Sequence, residues 1–233
     1  MVLRKIIVLT LVAILMGTVA LAQEPVAIVN GEPIEREELE SIANLSQIIF
    51  TIYQQFPSFA QTLLLTEEGE ALLHRYELDI LEQLIRWALV LQEGQARGIE
   101  PAQETVDQRT QGMLDQIIQQ NRLEGEEGLA AALAQQGRTL ADFREEVAQQ
   151  VWEQLVIEQV QQEVTAAVTV TEEEIQAYYE DNPSQFMGEE GEPLPLEEVR
   201  DQVVSSLLSQ KRSEAWRNWL AQAREAAEVT INL

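Results

Sequence analysis

At 233 residues, 45% hydrophobic and 24% charged, the chain is long enough to bury a core as one large or two small domains. Forty acidic residues against fifteen basic ones leave a formal net charge of −25, which repels nucleic-acid phosphates and anionic lipid headgroups, so neither is an expected partner. The absence of cysteine excludes disulfides, thiolate metal sites, cysteine nucleophiles and lipid attachment at a leader cysteine.

Met1 to Ala22 has the three parts of an export signal. Arg4-Lys5 is a positive start, Ile6 to Val19 an apolar stretch broken by Gly17-Thr18, and Ala20-Leu21-Ala22 a small-residue cleavage site. The apolar run is short for a full membrane span. The expected mature chain is therefore 23–233, exported to a periplasmic or other extracytoplasmic compartment, with no stable membrane insertion after cleavage. An uncleaved anchor is the alternative. ATP is not expected outside the cytoplasmic membrane.

Val26-Ala27-Ile28-Val29 is a short β-forming run, and Asn30-Gly31 tolerates the positive φ of a tight turn. Pro33 is expected to stop any ladder. The only other clear β-forming run is Val229 to Leu233, at the far end, so the two chain ends are expected to pair and close the body. Between them the pattern is helical. A first helix is predicted from about Glu35 to Gln55, with Leu39, Ile42, Ile49, Ile52, Tyr53 and Phe56 as its stripe. Pro57-Ser58 breaks it, and Phe59 to Leu65 reads as an apolar connector. A second helix restarts at Thr66-Glu67-Glu68-Gly69 and runs to Arg97, ended by Gly98.

A third helix is predicted over about 102–121. Gly125 and Gly128 mark a loop before a short helix from Leu129 to Gln136. Thr139 then caps a long helix reaching about Val164, and Thr171-Glu172-Glu173-Glu174 is a capping box opening the next. Asp181 to Pro195, with three prolines, two glycines and several acids, reads as an exposed acidic loop. The last helix spans about 196–227.

Several of these stretches, in this order, resemble the SurA-like extracytoplasmic chaperones, including the PrsA-type and PpiD-type foldases. Val26 to Leu39 is similar to the family's V-x-V-N-G opening. Leu81 to Ile85 with Gln92 to Ile99 is similar to its L-x-x-L-I … Q-E-A-x-x-x-G-I, except that Gly94 replaces the usual alanine. Gln136 to Glu145, Val168 to Tyr179 and the returning tail from Leu196 to Leu233 continue the likeness. The resemblance implies a mostly α fold: a SurA-like helical chaperone body closed by a short pairing of N- and C-terminal strands. In the full-length family a parvulin-type prolyl isomerase domain is inserted before the last helix. The 181–195 loop is too short for one, and parvulin sites carry paired histidines where this chain has only His74. The expectation is a scaffold without the catalytic insert, not an enzyme.

No other chemistry stands out. His74 has no partner group that would make it catalytic. The Glu67-Glu68-Glu70, Glu124-Glu126-Glu127 and Glu189-Glu190-Glu192 clusters lack the alternating oxygen ligands of a calcium loop. No cofactor, metal or catalytic residue is expected. The apolar excess at Phe50, Tyr53, Phe56 and Phe59, with Leu63, Leu64 and Leu65 at its edge, reads as packing, or as a surface for clients or for a second copy of the chain. The expected function is ATP-independent holding of unfolded or newly exported polypeptides. The alternatives are a non-catalytic assembly or adaptor subunit and a structural homodimer.

Overall fold

The computed structural model describes residues 24–188 and 191–233, so the export signal expected over 1–22 lies outside the described residues. The N-terminal strand β1 (Ala27–Val29) is the centre of a three-stranded antiparallel sheet. β2 (Glu32–Ile34) pairs on one side, and β3 (Val229–Ile231), from the far end of the chain, pairs on the other. The predicted closure of the two ends is present, with Ala27 opposite Ile231 and Val29 opposite Val229. Asn30 (φ 51°) and Gly31 (φ 89°) form the two-residue turn between β1 and β2. Pro33 does not stop the ladder as expected. It lies opposite Ile28 on an edge strand, where a residue without an N–H is tolerated.

A polar clasp ties this sheet to the helices. Gln92 Nε2 donates to the Val29 carbonyl (3.0 Å) and to the Glu32 carboxylate (2.8 Å), while Asn30 Nδ2 donates to Gln92 Oε1 (2.8 Å). The amide of Glu228 in turn donates to Asn30 Oδ1 (2.9 Å). One turn residue therefore binds both the second half of the long helix and the returning C-terminus.

Nine α-helices follow among the described residues: α1 (Arg36–Ala43), α2 (Leu45–Gln55), α3 (Pro57–Leu65), α4 (Glu67–Ala96), α5 (Gln103–Gln120), α6 (Gly125–Gln135), α7 (Leu140–Thr165), α8 (Glu172–Asp181) and α9 (Leu196–Ala226). The cap signals act as their chemistry predicts. Thr66, Thr139 and Thr171 each accept from the amide three residues on, and Thr171 with Glu174 completes a reciprocal capping box. Three boundaries differ from expectation. The first helix is two, because Asn44 turns left-handed (φ 46°) and ends α1. The Phe59–Leu65 connector is helix α3, with Pro57 in its first turn, where the missing N–H costs nothing. And α6 starts at Gly125 itself.

The core is a chain of clusters along α4, α7 and α9. The sheet, α1 and the middle of α4 enclose Val26, Val29, Leu39, Leu81, Leu84 and Ile85. Val90, Val156 and Val160 join α4 to α7 beside the stacked Trp216 and Trp219 of α9 (5.0 Å, 11°). Gly94 has a physical reason there: a Cβ at that position would lie 2.3 Å from Val156 Cγ1. Arg224 of α9 grips Glu82 of α4 with two hydrogen bonds (3.0 and 3.2 Å). Of the expected exposed acidic loop, the described residues 181–188 and 191–195 are mostly exposed, but they carry an ordered turn around one buried ring. Phe186 is buried against Tyr178 and Tyr179, the amide of Leu194 donates to the Phe186 carbonyl (2.8 Å), and Met187 bridges Pro193.

Candidate functional site

The apolar residues singled out from the sequence fall on α2 and α3, which form an arm at the outer end of α4. In this arm α2 packs on α3, and α3 packs on the start of α4. From Ile80 onward α4 is core, but before Ile80 only Gly69 is buried. Gly69 is the root of the arm, because a Cβ there would lie 2.2 Å from the Leu63 carbonyl oxygen. The α3 backbone thus lies directly on α4, and Ala60 and Leu63 are the residues it buries.

Leu63, expected at the edge of a binding surface, is instead the anchor, only 6% exposed. A helix of nine residues must bury one face to stay attached, and Ala60 and Leu63, three apart, supply that face. The other six point outward. Phe50 and Phe59 are each 56% exposed, Phe56 is 62% and Leu65 80%, with Tyr53 and Leu64 at about half. No residue of α2 is buried at all. Of the twelve exposed large hydrophobic residues described, nine lie between Ile42 and Leu72. The sequence carried one further signal that was missed: residues 44–66 contain no Asp, Glu, Lys or Arg, in a chain that is 24% charged. Acids resume at once in the first turn of α4, at Glu67, Glu68 and Glu70.

The electrostatics of the body are different. The Arg109 guanidinium, 2.8 Å from Glu158, holds that carboxyl below the usual range. The Lys211 ammonium, 2.5 Å from Glu174, and then the Thr171 amide do the same for Glu174. Glu38 at the foot of α1 goes the other way, pushed up by partial desolvation and then by the Glu153 and Glu35 carboxylates. His74 lies exposed on α4. No helix among the described residues is long and apolar enough to cross a membrane.

The helical body closed by its own two ends is similar in fold to a SurA-like chaperone. A solved chain from Campylobacter jejuni, one of the structurally related SurA-like chaperones PEB4 and Cj1289, superimposes with a TM-score of 0.53 at 10% identity, covering 90% of this chain and 99% of that one. The SurA-like N-terminal domain model matches residues 1–161, and the chain belongs to that family. The foldase protein PrsA of Clostridium botulinum is 30% identical over 169 residues, 72% of this chain and 47% of that protein. PrsA of Clostridium kluyveri is 27% identical over 167 residues, 72% and 48% of the two chains. The chain thus spans about half the length of the curated relatives it matches.

A second model, the PPIC-type PPIASE domain, matches residues 170–232. It overturns the expectations that the parvulin domain is absent and that the protein is not an enzyme. Those expectations rested on the length of the 181–195 loop and on a count of histidines. The match instead takes in the residues on both sides of that loop, including α8, α9 and β3.

Proposed function

We propose that this protein is an extracytoplasmic folding chaperone that binds unfolded or newly exported polypeptides on the α2–α3 arm, without ATP. The observation that carries this reading is the arm itself: six large apolar side chains about half exposed or more, on helices with no charge, projecting from an acidic body. Aromatic rings bury much area for little rotamer entropy, which suits contact with many sequences. An extended client loses conformational freedom on binding, so affinity is expected to be modest, on the order of micromolar. The surrounding carboxylates keep a loaded complex soluble. Export is supported by the Met1–Ala22 pattern and by the foldase relatives.

The test is suppression of aggregation of several unrelated, chemically unfolded proteins by the exported protein in nucleotide-free buffer. Protection of all of them at near-stoichiometric ratios is expected. Protection of none would favour the adaptor reading. The match over residues 170–232 supports a second activity in the same chain, peptidyl-prolyl isomerisation. A protease-coupled peptide assay reads that activity directly.

A further inference from the structure

We propose that the free edge of β3 is a second peptide-binding site, on which an extended segment of a client adds as a further strand. The source of the peptide rests on the client-binding reading above, but the surface is a different one. The ladder fixes which backbone groups are free. The Asn30 amide donates to the Glu228 carbonyl (2.8 Å) and the Asn232 amide to the Val26 carbonyl (2.9 Å), with Thr230 opposite Ile28 midway between. In an antiparallel pair such residues alternate with ones that turn both N–H and C=O away. Val229 and Ile231 are therefore the outward residues of β3, and among the described residues no hydrogen bond outside the ladder engages them. Their unpaired amides and carbonyls are a template for another strand. The other edge of the sheet is closed. The Ile34 carbonyl accepts from the Val26 amide (2.9 Å), so Ile34 faces β1, and Pro33 before it faces outward with no N–H to offer. β3 has no proline or lysine to blunt it in the same way.

Side chains and charge select the occupant. Val229, Ile231 and Leu233 share one face of the strand; Val229 and Leu233 pack on the core beneath the sheet, while Ile231 is 40% exposed. Thr230, on the other face, is exposed. A strand laid beside them sets its own side chains in line with these faces, so a fitting segment alternates apolar and polar residues and covers Ile231. Residues 225–233 carry Glu225 and Glu228, both exposed, and no Lys or Arg. A lysine or arginine flanking the segment therefore meets a complementary charge.

The probe is a short capped peptide of alternating valine and threonine with a lysine at each end, titrated into the exported protein up to about 1 mM. Amide hydrogen exchange reads the edge directly. The Val229 and Ile231 amides are expected to exchange freely alone and to slow at least about tenfold with peptide. Ile231→Pro removes an outward donor without touching the ladder to β1, and should weaken binding about tenfold or more, while Ile231→Thr, which keeps the N–H, should weaken it less. The Phe50→Ser, Phe59→Ser double variant should bind the peptide as the parent does. No slowing at these two amides in the parent, equal binding by folded Ile231→Pro, or loss of binding in the double variant would overturn the proposal. So would slowing that needs no peptide and grows with protein concentration, which would assign the edge to a second copy. Failure at the edge in a protein that still suppresses aggregation leaves the arm reading intact. Slowing at the edge in a protein that suppresses none keeps the peptide site and removes the arm.

Discussion

The long helix α4 belongs to two different regions. From Ile80 to Gly94 its apolar face is buried by the sheet, α7 and α9, and two of its polar residues tie it to them: Gln92 to the turn and Glu82 to Arg224. From Glu67 to Asp79 only Gly69 is buried, although Tyr76 donates its hydroxyl to the Ala43 carbonyl of α1 (3.1 Å), and no residue of α2 beyond it is buried. The body is apolar inside and ion-paired outside. The arm is apolar outside and carries no charge. A surface made only for solubility would be charged, and a helix made only for packing would bury its rings. The arm meets neither demand, which is why a binding role explains it better than a structural one.

The widest separation should come from core truncation. Leu81 is fully buried between the sheet and α1, so Leu81→Ala should cost roughly 2–5 kcal/mol and lower the melting temperature of the whole unit. A small effect there would mean that the sheet end is not part of one cooperative body. The two tight glycines sharpen the contrast. Gly94→Ala drives a methyl into Val156 and should cost about 1–3 kcal/mol globally. Gly69→Ala strikes the Leu63 backbone and should loosen only the arm. Hydrogen exchange would then rise across α2 and α3 while the rest of the amides keep their protection. Equal loss of protection throughout would join arm and body into one unit.

The smallest effect is electrostatic and has a definite sign. Glu38, with its folded pKa raised, costs stability when ionised, and that cost is relieved as pH falls through the folded value. Glu38→Gln should therefore raise the melting temperature slightly at neutral pH, and the gain should vanish in acid. Glu158 and Glu174, with lowered values, contribute stability that is lost as pH falls through their folded values. A Glu38→Gln gain that persisted in acid would point to packing instead.

Much of the fold was legible because its signals are local. Threonine caps, the Asn30-Gly31 turn and the apolar stripes each act within a few residues, and two β-forming runs marked the strands at the chain ends, though not β2 between them. What was missed depended on tertiary context. Asn44 breaks a continuous apolar period by its backbone angle alone. Phe186 sits in a stretch rich in Pro, Gly and Glu, yet it is buried by Tyr178 and Tyr179 from the preceding helix. At the arm, sequence placed the aromatic residues together but could not separate Leu63 from Leu64 and Leu65, because only the crossing with Gly69 decides which leucine faces in. The PPIASE-type match escaped a reading that looked for catalytic residues in the loop rather than at the sequence flanking it.

The central claim, that the arm's rings face clients rather than a core, is tested most directly by Phe50→Ser with Phe59→Ser. Melting and aggregation suppression would be measured on the same preparation. The account predicts a melting temperature close to the parent's, since exposed substitutions change stability by only about 0.5 kcal/mol each, together with a clear loss of client protection. A folded double variant that protects clients as well as the parent would contradict it.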